Sequence, residues 1–152
     1  MRTKIIVGFQ VVGDNENLLP QRAHLDDAAF DLRSRIDVTL PIGKSTLVPL
    51  GFCMELPVGY VALITPRSGI SLKHDITATN SPGIIDAGYR GEVGFIAYNA
   101  GSEEYHVKVN ERVGQMTILE LPEIEIVVKK ELSKTERGAG GFGSTGKHEV
   151  KI

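Results

Sequence analysis

The strict alternation of apolar and polar residues in several short runs is the feature that most restricts how this chain can fold. These runs cover residues 38–42, 48–56, 107–109 and 124–128. Because successive side chains on a β-strand point to opposite faces, each run has one face to bury. Strands this short, separated by Gly, Pro and Asn, predict an all-β sandwich or barrel.

Helical patterns are scarce in the sequence. We predict one short helix over residues 68–74, introduced by Pro66 and with Ser68 as its N-cap. Residues 83–85 and 92–97 are two further strand-forming runs, and the glycine-rich turn between them predicts a hairpin.

The 152 residues, of which 41% are hydrophobic and 24% charged, favour a single domain with a packed core. We assign residues 1–132 to that domain and residues 133–152 to a C-terminal arm. Between residues 133 and 147 the arm has glycines at 138, 140, 141, 143 and 146 but only one large apolar residue, Phe142. Such a segment cannot bury enough surface to fold alone, so we expect it to be ordered only against another surface.

Charge and composition exclude several classes of function. A net charge of −2 gives no reason to expect nucleic-acid or membrane binding. One cysteine, Cys53, allows no intrachain disulfide, and the spacing of the four histidines does not predict a zinc site. No apolar stretch at the N-terminus resembles a signal peptide, and prolines and glycines interrupt the longest apolar run. We therefore expect a soluble, intracellular, cytoplasmic protein.

The predicted hairpin carries a carboxylate, Asp86, and an aromatic ring, Tyr89, on its turn. Polar side chains on a rigid turn are typical of binding sites. An ordinary turn, in which Asp86 caps a backbone N–H and Tyr89 covers the core, explains the same pattern.

The arm contains Gly-x-Gly-x-x-Gly at residues 141–146, but only six residues follow, too few for the helix of a dinucleotide-binding fold. The same lack of a following helix excludes a P-loop. Glycine N–H groups near Arg137, Ser144 and Thr145 would nevertheless suit phosphate oxygens, and Phe142 could stack on a base. A disordered tail remains the alternative.

Two other stretches carry groups suited to phosphate. Arg67, Ser68 and Gly69 combine a guanidinium with backbone N–H donors at the predicted helix start, although a simple capped helix start explains them equally well. Gln115 is a polar residue within an apolar strand, and a hydrogen bond to a neighbouring loop would account for it.

Taken together and in order, five stretches resemble the motifs of the trimeric deoxyuridine triphosphate nucleotidohydrolases (dUTPases). They are residues 28–34 (AAFDLRS), 66–69 (PRSG), 80–92 (NSPGIIDAGYRGE), 112–116 (RVGQM) and 137–146 (RGAGGFGSTG). The resemblance spans residues 18–146. Two positions depart from the family pattern, since Ala29 stands where the family usually has Gly and Gly114 where it usually has Ala.

The resemblance implies a distorted jelly roll that forms a homotrimer, with each active site shared by three chains. It also implies hydrolysis of dUTP to dUMP and pyrophosphate, which keeps uracil out of DNA and supplies dUMP for dTMP synthesis. By the same resemblance, one chain binds uracil and deoxyribose, a neighbour binds the phosphates, and the arm of the third chain closes over the site.

The family motifs also imply a role for each site residue. Asp86 activates the attacking water, and Tyr89 excludes a ribose 2′-hydroxyl. The remaining substrate-binding residues implied are Asn80, Gly83, Ile84, Ile85 and Gly94 for the nucleoside, Arg67, Ser68, Gly69 and Gln115 for phosphate oxygens, and Arg137, Phe142, Gly143, Ser144 and Thr145 in the arm. Mg²⁺ is the implied cofactor, with Asp31 contacting it through water. A salt bridge from Asp31 to Arg33 or Arg35 is the structural alternative.

Two rival functions remain open, and a third is disfavoured. A dCTP deaminase-like enzyme of the same fold would use Glu92, the acidic residue on the return strand, to activate water. A nucleotide-sensing regulatory trimer would bind dUTP without depending on its hydrolysis. A structural β-trimer would have no use for the arrangement of polar residues in the arm.

Overall fold

The structure, a computed structural model, describes residues 4–142, which form eleven β-strands, one α-helix and a short 3₁₀ helix at Glu16–Leu18. In chain order these are β1 (Gly8–Val11), β2 (Phe30–Arg33), β3 (Val38–Leu40), β4 (Ser45–Pro49), β5 (Phe52–Glu55), β6 (Tyr60–Pro66), α1 (Ser68–His74), β7 (Ile76–Ala78), β8 (Gly83–Ile85), β9 (Gly94–Asn99), β10 (Tyr105–Val107) and β11 (Arg112–Glu120). The predicted all-β fold with one short helix is confirmed.

The strands form two main antiparallel sheets and two separate two-stranded sheets. The larger sheet has the order β2-β11-β6-β8, and the second has the order β4-β9-β7. Strands β1 and β5 pair with each other, as do β3 and β10. The longest pairing joins β6 to β11, from Gly114 opposite Pro66 to Glu120 opposite Tyr60. This pairing brings Gln115 on β11 next to the end of β6, which Arg67 follows in the chain.

The core is built from the apolar faces of the alternating runs. Val48, Leu50, Phe52, Met54 and Leu56 are all buried, as the period-two pattern of their run predicts. The run is nevertheless divided into β4 and β5, because the chain bends at Gly51, whose φ of +77° favours glycine. The bend passes the chain from one sheet to another while keeping the same face inward.

Helix α1 has the bounds that the sequence predicts, but its N-cap differs. Arg67 is the capping residue, and no side chain makes a capping hydrogen bond there. Ser68 is already helical, so its predicted role as N-cap is wrong. The helix ends at Asp75, whose φ of 55° is left-handed and whose backbone N–H bonds to the Ser71 carbonyl.

The predicted hairpin over residues 83–97 is wrong as a strand pairing. Strand β8 pairs with β6, whereas β9 pairs with β4 and β7. The two strands therefore lie in different sheets, and the intervening turn spans the gap between them. Local sequence showed two strands and a turn, but could not show that each strand finds its partner elsewhere.

The strand predicted over residues 124–128 is also absent. Strand β11 ends at Glu120, and the last backbone hydrogen bond of this region runs from Leu121 N–H to the Gly59 carbonyl at 2.7 Å. Ile124, Ile126 and Val128 are exposed. Their alternation requires a face to pack on, and the described part of the chain does not supply it.

None of the helices within residues 4–142 has the length and apolar character needed to cross a membrane. The predicted cytoplasmic location stays a prediction.

Candidate active site

A cavity of about 270 Å³ lies where the free edge of the larger sheet faces the smaller sheet. Strand β8 supplies one wall, β9 supplies the opposite wall, and the turn between them closes one end. The predicted nucleoside residues and the predicted catalytic carboxylate all line this cavity: Asn80, Gly83, Ile84, Ile85, Asp86, Tyr89 and Gly94. Six further residues line it, namely Leu47, Ile64, Ala78, Glu92, Phe95 and Ile96.

The wall formed by β8 brings backbone close to the cavity because Gly83 has no side chain. A Cβ at Gly83 would lie 3.3 Å from the Asn80 side-chain nitrogen and 3.4 Å from the Cβ of Ile64. The contact with the Asn80 nitrogen would be slightly tighter than ordinary van der Waals contact, so a side chain at residue 83 would require the Asn80 amide to shift. The polar groups available here are the Asn80 side chain and the backbone of β8.

Asp86 and Tyr89 lie on the turn that joins the two walls. The Tyr89 backbone N–H donates to the Asp86 carbonyl at 3.1 Å, which closes the turn. The Tyr89 hydroxyl donates to the Glu92 carbonyl at 3.0 Å. Within residues 4–142 the Asp86 carboxylate makes no hydrogen bond and is exposed, so it is available to solvent or a ligand. The explanation of Asp86 as a cap for a backbone N–H is therefore not supported.

A second cavity of about 500 Å³ lies at the other end of the sheet, where β2, β11 and the end of β6 meet. The residues predicted to bind phosphate oxygens all line it, together with Asp31: Arg67, Ser68, Gly69 and Gln115. Gln115 is opposite Asp31 on β2 and opposite Thr65 on β6. The fold therefore joins residues from three separate stretches of sequence into one polar surface.

Asp31 is the centre of an ion-pair network in this second cavity. Its Oδ1 accepts from Arg67 Nε at 2.9 Å, and its Oδ2 accepts from Arg112 at 3.1 Å. Arg67 also donates to the Arg112 carbonyl at 3.4 Å. The carboxylate thus holds two guanidinium groups at the cavity wall, where they present positive charge.

These pairings differ from those considered from the sequence alone. Arg33 bonds to the Asn110 carbonyl at 2.8 Å, and Arg35 pairs with Glu92 at 2.8 Å, so neither is the partner of Asp31. Arg112 was missed as a site residue, although it begins the stretch that contains Gln115. Its side chain reaches Asp31 because β11 pairs directly with β2, a register that no local pattern shows.

The arm residues that the structure describes, 133–142, line neither cavity. Arg137 donates to the Gly140 carbonyl at 2.9 Å, a local turn, and Phe142 is fully exposed. Gly143, Ser144 and Thr145 lie outside the described residues. The predicted role of the arm in closing a site therefore stays a prediction.

The two cavities have no lining residue in common. In the larger sheet, β6 separates β8, which lines the first cavity, from β11, which lines the second. A single chain therefore presents two partial sites, one with a carboxylate and apolar walls and one with guanidinium groups.

Comparison with known proteins identifies the family of this chain. The dUTPase family model matches residues 15–146. Deoxyuridine 5'-triphosphate nucleotidohydrolase of Clostridioides difficile is 44% identical over 133 residues, which is 88% of this chain and 93% of the relative. The enzyme of the same name from Gloeothece citriformis is 46% identical over 129 residues, covering 85% of this chain and 89% of the relative.

Solved structures agree in fold. The dUTPase of Staphylococcus bacteriophage 80alpha with dUpNHpp has a TM-score of 0.85 and 26% identity, covering 95% of this chain and 100% of the phage protein. A more distant neighbour, the dUTPase of S. aureus phage phi11, coordinates a structural Mg(II) ion. It has a TM-score of 0.75 and 24% identity, covering 86% of this chain and 100% of that protein, and supports the fold alone.

Proposed function

The chain belongs to the dUTPase family, and we propose that it hydrolyses dUTP to dUMP and pyrophosphate through a water molecule held by Asp86. The observation that carries this proposal is the separation of groups in the fold. The residues proposed for the nucleoside line one cavity and those proposed for phosphate oxygens line another, which supports one surface for the neutral end of dUTP and one for its charged end.

Asp86 is the proposed group that activates water. It is exposed at the edge of the first cavity on a turn closed by a backbone hydrogen bond of 3.1 Å. A carboxylate so placed can accept a proton from water and orient its lone pair toward a phosphorus atom held beside the nucleoside. The proton passes to Asp86 as the oxygen attacks the α-phosphate, and pyrophosphate leaves.

The walls of the first cavity explain the proposed choice of uracil and deoxyribose. Fixed backbone groups of β8 and the Asn80 amide match the donor and acceptor pattern of uracil and leave groups of cytosine unpaired. A thymine methyl would meet the narrow wall at Gly83. Tyr89, held by its hydrogen bond to the Glu92 carbonyl, is the proposed group that would exclude a 2′-hydroxyl.

The second cavity is the proposed binding site for the phosphates. Arg67 offers a planar fork of donors that suits phosphate oxygens, and Ser68, Gly69 and Gln115 add neutral donors beside it. Because Asp31 already orients Arg67, less side-chain entropy is lost when phosphate binds. Arg112 joins this group through its contact with the other Asp31 oxygen.

The residues of the second cavity fit a magnesium ion carried by the substrate rather than a metal centre made by protein alone. Residues 4–142 contain no group of three or more His, Cys, Asp or Glu side chains able to hold a metal ion. Each Asp31 oxygen accepts one N–H and keeps a lone pair for a metal-bound water. When bound, Mg²⁺ neutralises charge on the phosphate oxygens.

A homotrimer with shared sites is part of the proposal. Two observations support it: the partial sites lie apart on one chain, and the apolar side chains of residues 124–128 are exposed. Association would bury those side chains and bring a nucleoside cavity of one copy to a phosphate cavity of another. We propose that residues 133–152 of a third copy complete the enclosure.

The deaminase alternative is less well supported by the contacts of Glu92. Its carboxylate accepts two bonds from Arg35, at 2.8 and 3.1 Å, and one from the Gly51 N–H at 2.9 Å. A group occupied by three donors is poorly suited to accept a proton from water.

The proposed hydrolysis of dUTP also has a physiological role. It would keep uracil out of DNA and supply dUMP for dTMP synthesis.

The test is pyrophosphate release from dUTP, UTP, dCTP and dTTP with added Mg²⁺, in wild type and in Asp86→Asn. We expect a strong preference for dUTP, and a loss of at least about a thousandfold in kcat for Asp86→Asn with dUMP binding retained. Ammonia release from dCTP would favour the deaminase. Near-normal turnover by Asp86→Asn would remove Asp86 from the mechanism. Binding of dUTP by a wild-type protein that does not hydrolyse it would favour the nucleotide-sensing alternative.

A further inference from the structure

Glu92 connects the turn that bears Asp86 and Tyr89 to the body of the protein. Its carboxylate receives Arg35 Nε at 2.8 Å, a second Arg35 nitrogen at 3.1 Å and the Gly51 backbone N–H at 2.9 Å. The two bonds from Arg35 form a bidentate pair, which fixes orientation as well as distance. Glu92 is thus held at a defined place between two other segments of the chain.

The backbone of Glu92 in turn holds Tyr89. The Tyr89 hydroxyl donates to the Glu92 carbonyl at 3.0 Å. Within residues 4–142 the hydroxyl makes no other hydrogen bond. Gly91, between the two, has no side chain because the Tyr89 ring fills that space: a Cβ at Gly91 would lie 2.7 Å from the Tyr89 Cζ. The position of the ring therefore depends on where the Glu92 carbonyl lies.

Both partners of the Glu92 carboxylate belong to rigid parts of the fold. The Arg35 backbone N–H donates to the Pro49 carbonyl at 2.8 Å, and the residue follows Ser34, which is fully buried. Gly51 sits at the positive-φ bend where Leu18 fills the space of a side chain. The Glu92 carboxylate is therefore tied to two packed segments, and its own carbonyl is tied to Tyr89.

We propose that Arg35 is a positioning residue for sugar specificity, which acts through Glu92 to hold the Tyr89 ring against the deoxyribose. This inference rests on the proposed function of the first cavity. Arg35 is not among the residues that line that cavity, whereas Glu92 is, so we infer that its effect passes through Glu92. Arg35 also lies just outside residues 28–34, the first of the five motif stretches.

The geometry explains why specificity should respond more than catalysis. Loss of the bidentate pair leaves Glu92 with the Gly51 N–H alone and lets the Tyr89 ring shift away from the sugar. A shifted ring opens space for a 2′-hydroxyl, so UTP gains while dUTP loses packing. General weakening of the fold would lower the rates with both nucleotides together and would leave their ratio unchanged.

The test compares kcat/KM for dUTP and UTP in wild type and in Arg35→Met, with Kd of dUMP and UMP measured by calorimetry. We expect the dUTP/UTP ratio to fall about tenfold in Arg35→Met, mainly through KM. The dUTP/UTP ratio of Arg35→Lys should lie between those of wild type and Arg35→Met, because lysine keeps the charge but not the fork of donors. Gly91→Ala should lower the ratio directly, since its methyl displaces the end of the Tyr89 side chain.

Lys108→Met is the matched control. It removes another cation–carboxylate pair, Lys108 to Asp37 at 3.3 Å, which lines neither cavity. Its ratio should equal that of wild type. An unchanged ratio in Arg35→Met, folded by circular dichroism, would overturn the inference, and if that variant does not fold, an unchanged ratio in Arg35→Lys would do so. A wild-type protein without dUTP hydrolysis would instead refute the proposed function.

Discussion

At the scale of single residues, the polar groups of this protein act through shared partners. Asp31 accepts from Arg67 and Arg112 at once, and Glu92 accepts from Arg35 and the Gly51 backbone. Removal of the Asp31 carboxylate would leave two cations without a counter-charge, and removal of the Glu92 carboxylate would leave Arg35 unpaired and the Gly51 N–H without its acceptor. Substitutions at either acid should therefore affect more than one contact.

Tyr105 offers a residue-scale prediction that depends on pH. Burial, followed by its hydrogen bond to Glu111, raises the pKa of Tyr105 to about 12 from an ordinary 10.0. Between these values the unfolded chain has lost the phenol proton while the folded chain retains it. Stability from this group is therefore complete below pH 10 and is lost as pH rises toward 12.

We expect Tyr105→Phe to be less stable than wild type by about 1 kcal/mol at pH 7, since the hydrogen bond to Glu111 is lost. The difference should shrink as the pH approaches 11. Urea unfolding of both proteins at pH 7, 9, 10 and 11 measures it. A difference that stays constant over this range would contradict the raised pKa.

At the scale of elements, strand pairing decides which residues meet. The ladder of β6 with β11 carries Gln115 to the end of β6, beside Arg67, and the pairing of β11 with β2 adds Asp31. Strand β8, on the other edge of β6, takes Asp86 toward the second sheet. The larger sheet thus carries one partial site at its β8 edge and the other at the strands β2 and β11.

The arm gives a prediction at the same scale. Residues 133–139 and Phe142 are exposed, so deletion of residues 137–152 should leave the thermal unfolding midpoint within about 2 °C of wild type. Activity on dUTP should fall roughly a hundredfold if the arm supplies the proposed phosphate donors and the proposed base-stacking ring. Calorimetry and pyrophosphate release measure the two effects. Full activity in the truncated protein would show that the arm takes no part in the reaction.

At the scale of the whole molecule, the important feature is that each cavity contains only part of the proposed active site. The carboxylate proposed to activate water lines one, and the cationic groups proposed to hold phosphate line the other. A shared site follows if copies associate so that the two cavities face each other. Exposed apolar residues beyond β11 provide surface for that association.

Mixed trimers test the shared site. Asp86→Asn and Arg67→Ala should each be nearly inactive alone. Refolded together from denaturant in equal amounts, they should recover roughly a quarter of wild-type activity, since a quarter of randomly assorted sites draw each intact group from a different chain. Mixing the two proteins without refolding is the control. If the refolded mixture stays inactive, both groups belong to the same chain's site.

The sequence alone determined the fold class and the residue types of the site. Alternation identified β3, β4 and β5, because a strand with one buried face must have apolar residues at every second position. Helix α1 was predicted with the bounds that the structure has, because Pro66 marks its start, although its N-cap is Arg67 and not Ser68. Asp86 and Tyr89 were identified because their turn is short and glycine-rich.

Only the tertiary structure decided the partners. Local pattern could not show that β8 and β9 belong to different sheets, that residues 124–128 lack a face to pack on, or that Arg112 meets Asp31. Each of these depends on contacts between residues far apart in the chain. Alternation specifies which side of a strand is buried, whereas the choice of neighbour depends on how the whole apolar surface is packed.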